Sequence, residues 1–89
     1  MVIKLSAPFS EKLGAREISM ELKDKASLRS VLELLVERYP VLEETINPGR
    51  IDESYGYALL CVNEGRIMKL DERVNDGDTI RIIPPIMGG

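Results

Sequence analysis

The sequence predicts an α+β domain in which one helix covers one face of a small sheet. Three observations support this prediction: apolar and polar residues alternate near both ends of the chain, a middle segment places apolar residues at helical spacing, and clusters of turn-forming residues separate the remaining strands. A chain of 89 residues has room for one hydrophobic core. We expect residues 1–83 to form the domain and residues 84–89 to form a flexible tail.

The first half of the chain contains two predicted strands and the main helix. Residues 2–7 and 17–22 alternate with a period of two, so the two strands most simply form an antiparallel hairpin joined through a helical turn at residues 11–13. Ser27 is well suited to cap a helix, and Pro40 ends it. The apolar stripe between them is typical of a helix packed on a sheet, and it consists of Leu28, Val31, Leu32, Leu35 and Tyr39.

The second half of the chain combines short strands with polar segments. Residues 41–46 are predicted to form a further short helix, whereas residues 50–56 are predicted to be irregular. We expect strands at residues 57–62, 67–69 and 79–83, separated by turns rich in Asn, Asp and Gly. Because one amphipathic helix covers only one face of a small sheet, the other face is expected to be open to solvent or to a partner.

The composition limits the chemistry available to this chain. It contains no histidine, which removes the commonest general base and the commonest metal ligand together. Neither a phosphate-binding loop nor a dinucleotide fingerprint is present. The single cysteine, Cys61, lies in a predicted strand and is interpreted as a buried apolar side chain, which fits a reducing compartment. We expect a protein that binds no metal or cofactor and is not catalytic alone.

The charge balance argues against a nucleic-acid partner. The 12 basic residues are outnumbered by 15 acidic ones, the sequence pI is near 4.9, and the lysines are scattered along the chain. The longest uncharged apolar run, residues 57–62, is far shorter than the ~20 residues that span a bilayer. The N-terminus lacks the features of a signal peptide, so we expect a cytoplasmic protein with no membrane partner.

The last six residues are the candidate functional segment: Pro84, Pro85, Ile86, Met87, Gly88 and Gly89. A terminal Gly-Gly arises by chance in roughly one chain in two hundred, and a preceding Pro-Pro lowers that by roughly another four hundred. The prolines end strand pairing, and the slim glycines suit a narrow channel in another protein. A partner that adenylates the Gly89 carboxylate with ATP would make it reactive toward a sulfur or amine nucleophile.

Several motifs resemble those of a known family. Val62-Asn63, Leu70-Asp71, Asp76-Gly77-Asp78 and residues 83–89 are similar to the small sulfur-carrier subunit of molybdopterin synthase, MoaD, and to ubiquitin-like small archaeal modifier proteins. The resemblance implies a β-grasp fold and a terminal glycine that an adenylating enzyme related to ubiquitin activators acts on.

The resemblance also implies residue roles. Gly89 would become a thiocarboxylate, and Gly88 with the four residues before it would thread the active site of a partner. Ile67, Arg81 and Ile83 would form a docking surface on the outer face of the sheet. The sulfur would pass to a pterin precursor inside the large subunit of molybdopterin synthase.

Other functions stay open from the sequence. In one, Gly89 forms an isopeptide bond to a lysine of a target protein, so that the chain is a ubiquitin-like modifier, and one protein can serve in both ways. In another, the sulfur goes to thiamine or to tRNA thiolation, although Pro84-Pro85 matches the thiamine carrier less well. In the last, the domain acts by non-covalent interaction and the tail is incidental.

Overall fold

The computed structural model describes residues 1–22 and 24–85. Its strands are β1 (Val2–Leu5), β2 (Glu17–Ser19), β3 (Ala26–Ser27), β4 (Leu60–Asn63), β5 (Arg66–Ile67), β6 (Arg73–Val74) and β7 (Thr79–Ile83). Its helices are α1 (Phe9–Leu13), α2 (Leu28–Arg38), α3 (Glu43–Ile46) and α4 (Ile51–Ser54), with 3₁₀ turns at Pro40–Leu42 and Pro48–Arg50.

The main sheet is mixed and has the strand order β2-β1-β7-β4-β5. β1 and β2 form the predicted antiparallel hairpin, and β1 pairs in parallel with the last strand, β7. β4 pairs antiparallel with both β7 and β5, while β3 and β6 form a separate small pair. This order, with one main helix across the sheet, is the β-grasp fold and confirms the predicted class.

Helix α2 closes the core against the inner face of the sheet. Ser27 caps it as predicted, because its Oγ accepts a hydrogen bond of 3.2 Å from the Ser30 backbone N–H. The buried helix side chains are Leu28, Val31, Leu32, Leu35 and Val36. Alternate residues of the central strands meet them, among them Ile3, Cys61, Ile80 and Ile82, and all are buried. Each buried Val, Leu or Ile side chain among them contributes about 1.5–3 kcal/mol by leaving water.

The predicted strand at 57–62 is wrong at its start. Gly56–Ala58 form a turn, and β4 begins only at Leu60, which pairs with Ile83. Continuing that antiparallel register would place Leu59 and Ala58 opposite Pro84 and Pro85. Proline has no N–H to donate, so the ladder ends here on both strands. The last strand has its predicted bounds, whereas β1, β2 and β5 are one to three residues shorter than predicted, and β5 begins one residue earlier.

The prediction of an irregular segment at 50–56 is also wrong. Residues 51–54 form α4, and Ile51 is buried in the same core as Leu42 and Ile46. The Arg29 guanidinium, in the first turn of α2, donates two hydrogen bonds to the Asp52 carboxylate. The region between α2 and β4 is therefore a packed layer of short helices. The helix predicted at 41–46 is confirmed, although its first turn is 3₁₀.

The Tyr55 hydroxyl ties this layer to the sheet. It donates a hydrogen bond of 2.5 Å to the Met68 carbonyl and accepts one of 3.1 Å from the Cys61 N–H. The Met68 N–H also donates to the Cys61 carbonyl, at 2.9 Å. The tyrosine hydroxyl therefore bridges the reciprocal ladder hydrogen bond, from the Cys61 N–H to the Met68 carbonyl, which the two strands do not make directly.

Replacing Tyr55 by Phe removes the hydroxyl and leaves the Met68 carbonyl and the Cys61 N–H short of a partner. We expect the free energy of unfolding to fall by about 1–3 kcal/mol. Urea denaturation followed by circular dichroism measures the change. Tyr57→Phe is the matched control, because Tyr57 is exposed, and it is expected to have an effect within about 0.5 kcal/mol. Equal effects of the two substitutions would contradict the assigned role of Tyr55.

Stability should also fall at alkaline pH. Burial raises the pKa of the Cys61 thiol from 9.0 to about 12, and burial likewise raises the pKa of the Tyr55 phenol from 10.0 to about 12. The unfolded chain therefore loses these protons at lower pH than the native chain. The stability that both groups contribute is complete below pH 9 and is lost as the pH rises toward 12.

Denaturation curves recorded from pH 8 upward test this expectation. In Cys61→Ala the decline should begin near the tyrosine's ordinary pKa of 10.0 and not near 9.0. Identical pH profiles for the native chain and this variant would show that the thiol does not contribute.

Candidate functional site

The tail leaves the domain from the centre of the sheet. Strand β7 lies between β1 and β4, and its last residue, Ile83, is followed directly by Pro84 and Pro85, which are half-buried. The predicted tail residues Ile86, Met87, Gly88 and Gly89 lie outside the described residues. A segment that starts from a strand hydrogen-bonded on both sides has a fixed origin relative to the rest of the domain.

The outer face of the sheet presents one continuous row across four strands. Lys4 is opposite Arg81, Arg81 is opposite Val62, and Val62 is opposite Ile67. Alternation along the strands places these side chains on the face opposite the core. Ile67 is 58% exposed, which is unusual for a large apolar side chain.

A second row lies two residues closer to the tail and consists of Leu60 opposite Ile83, both half-buried. We name the two rows' apolar residues, Leu60, Val62, Ile67 and Ile83, the outer apolar patch. The structure thus brings together all three residues of the predicted docking surface, since Arg81 borders the patch at Val62. That this surface docks a partner stays a prediction.

Sequence reasoning missed Leu60 and Val62 as outer-face residues. The run from 57 to 62 is apolar at almost every position, so its alternation is hidden. The available signal was pairing: once Arg81 is assigned outward on β7, its cross-strand neighbour Val62 must face outward too.

The loop after β5 carries one ion pair. The Arg66 guanidinium donates two hydrogen bonds to the Glu72 carboxylate, which also accepts one of 3.2 Å from the Lys69 N–H. The hydrogen bonds from Arg66, followed by that from Lys69, lower the pKa of Glu72 from 4.5 to about 2. The ion pair connects β5, the short edge strand that carries Ile67, to the residue directly before β6.

The charges of the domain are divided between its two sides. Residues 28–54, which include α2 to α4, contain six acidic and three basic residues, so this segment accounts for the whole net charge of −3. The outer face instead presents Lys4 and Arg81 beside the apolar patch, with Glu17 opposite Lys4 at its far side. A partner surface with carboxylates near an apolar centre would be complementary to the outer face.

Other kinds of site were sought in the same residues. Within 1–22 and 24–85, no three His, Cys, Asp or Glu side chains lie close enough together to hold a metal ion. No helix of these ranges is both long and apolar enough to cross a bilayer. Cys61, the chain's one thiol, is buried as the sequence predicts.

Comparison with known proteins assigns this architecture to a family. Residues 3–89 match the ThiS family. Small archaeal modifier protein 1 of Haloferax volcanii is 30% identical over 86 residues, which are 97% of each chain.

Solved structures agree with this match. The crystal structure of the same Haloferax protein superposes with a TM-score of 0.81 at 26% identity, covering 100% of this chain and 98% of the other. A putative molybdopterin converting factor, subunit 1, from Pyrococcus furiosus superposes with a TM-score of 0.77 at 25% identity, covering 96% and 95% of the two chains. The chain therefore belongs to the ThiS family, small ubiquitin-like carrier and modifier proteins that are not enzymes themselves.

Proposed function

We propose that this protein is a sulfur carrier whose terminal glycine, Gly89, is adenylated by a partner enzyme and converted to a thiocarboxylate. The observation that supports this most is the tail's origin: the central strand β7 leads directly through Pro84-Pro85 into a short Gly-Gly ending, and the family match extends to residue 89. A rigid domain thereby offers one carboxylate on a slim chain.

The chemistry needs no catalytic group from this chain. An oxygen of the Gly89 carboxylate attacks the α-phosphorus of ATP, a new P–O bond forms, and pyrophosphate leaves. A hydrosulfide-equivalent nucleophile then attacks the carbonyl carbon, a C–S bond forms, and AMP departs with the former carboxylate oxygen. ATP is bound and consumed by the adenylating partner, while the carrier contributes the carboxylate and its docking surface.

The sulfur acceptor we propose is the pterin precursor of molybdenum or tungsten cofactor synthesis, with this chain as the small subunit of molybdopterin synthase. The likeness to the putative molybdopterin converting factor subunit supports this choice. The thiamine and tRNA-thiolation pathways would use the same activated glycine with a different acceptor.

A second candidate function is covalent modification of proteins. The 30% identity to small archaeal modifier protein 1 favours it. A lysine amine of a target protein would attack the same adenylated Gly89, or a thioester made from it, and form an isopeptide bond. Both functions share the activation step and differ only in the nucleophile.

Mass spectrometry after co-expression with the adenylating enzyme of the same cells tests the proposal. We expect a mass shift equal to one oxygen-to-sulfur exchange, located on Gly89. A variant lacking Gly88 and Gly89 should show no shift. An unshifted native chain, with the enzyme active on another carrier, would exclude the sulfur-carrier function.

Denaturing gels of cells making a tagged chain distinguish the modifier function. Higher-mass conjugates that disappear when Gly88 and Gly89 are deleted would establish it.

The outer face can be tested by reversing one charge. Arg81→Glu places a carboxylate beside the outer apolar patch and should raise the KM for the carrier in adenylation by about tenfold, an effect typical of an interface residue that matters. The matched control is Arg38→Glu, the same change at an exposed position near the end of α2. A KM raised equally by both variants would contradict docking through the sheet face.

A further inference from the structure

Tyr57 is the most exposed large apolar side chain in the described part of the chain. It is 74% exposed, compared with 58% for Ile67 and 50% for Val41, the other large exposed apolar side chains in the described part of the chain. Exposed aromatic residues are scarce on surfaces that contact only water and are enriched where partners bind.

Tyr57 lies at the end of the sheet from which the tail leaves. It lies on the turn Gly56–Ala58, directly before β4, whose first residue Leu60 pairs with Ile83, the last residue of β7. The turn is therefore at the end of the sheet from which Pro84 and Pro85 leave. The outer apolar patch reaches the same end through Leu60 and Ile83.

The turn is held rigidly. The Tyr57 N–H donates to the Ser54 carbonyl at 3.0 Å, and the Gly56 N–H donates to the Leu59 carbonyl at 2.8 Å. Gly56 has a φ of 87°, a value that favours glycine. The Tyr55 hydroxyl fastens the start of the turn to the sheet. A partner that binds Tyr57 thus meets an aromatic side chain on an ordered backbone, and binding has to order only the two side-chain torsions of the tyrosine.

The length of the tail limits where its partner can be. Four residues follow Pro85, and an extended chain of that length spans at most about 14 Å. An enzyme that holds the Gly89 carboxylate against the α-phosphate of ATP must therefore bring its own surface to this end of the sheet.

We infer that Tyr57 is an anchor for the adenylating partner and extends the outer apolar patch beyond the sheet. The inference rests on the proposed function. The partner surface that contacts Tyr57 is the rim of the channel that receives the tail. This rim should offer an apolar pocket for the ring and a hydrogen-bond acceptor for the phenol. Tyr57 is thus a positioning residue, which holds the domain while the tail carboxylate reacts.

ATP–pyrophosphate exchange with the adenylating enzyme of the same cells tests the role of Tyr57. Tyr57→Ser should raise the KM for the carrier by about tenfold and leave kcat unchanged, because the ring contributes binding that is equal in the ground and transition states. Tyr57→Phe should keep most of the affinity, since the ring supplies the buried area. Val41→Ser is the matched control, an exposed apolar residue that lies outside the outer apolar patch, on the Pro40–Leu42 turn of the helical layer with α2 and α3. It should leave KM unchanged, and thermal melting should show all variants folded.

The outcomes separate the two proposals. Absence of exchange with the native chain, under conditions where the enzyme activates another carrier, would overturn the proposed function and the Tyr57 anchor with it. Exchange with the native chain and an unchanged KM for Tyr57→Ser would overturn the anchor alone. An equal rise of KM for Tyr57→Ser and Val41→Ser would also overturn it.

Discussion

The hydrogen bonding of β7 on both of its edges is the constraint on which the rest of the structure depends. β7 pairs with β1 on one side and β4 on the other, so it joins the first and last thirds of the chain. Its inward residues, Ile80 and Ile82, are buried in the core, while Arg81 and Ile83 face outward. One strand therefore determines the core, the outer face and the origin of the tail together.

Pro84 and Pro85 turn the end of this strand into a boundary. Without a backbone N–H they cannot continue the ladder with β4, so the partner chain at residues 56–58 is free to form a turn instead of a strand. The same two residues thus explain why β4 starts late, why Tyr57 is exposed and why the tail leaves the sheet here. Strand termination and the candidate site have one physical cause.

The local signals in the sequence predicted most of this fold. Alternation near Ile3 and Ile80 and the stripe from Leu28 to Leu35 each depend only on neighbouring residues, and the structure confirms them. The wrong predictions concern residues whose structure depends on segments distant in the sequence. Ile51 lies in a helix turn because its side chain is buried in the core. Tyr57 lies outside its predicted strand because the opposing strand ends at Pro84, 27 residues later. Likewise, the sequence predicts Ile67 and Arg81 on the docking surface. The place of Val62 on that surface depends on the register between β4 and its neighbouring strands, which a single sequence does not give.

The division of charge has a consequence for a protein that acts on partners in turn. In the proposed cycle the tail enters first the adenylating enzyme and then the large synthase subunit that holds the sulfur acceptor, and its short reach brings both proteins to the same end of the sheet. The two partners must then compete for the outer apolar patch. Strong docking to either would delay transfer, so a small patch bordered by Lys4 and Arg81 suits fast, salt-sensitive association and ready release. In the proposed cycle the sheet face is therefore the surface on which specificity would be decided.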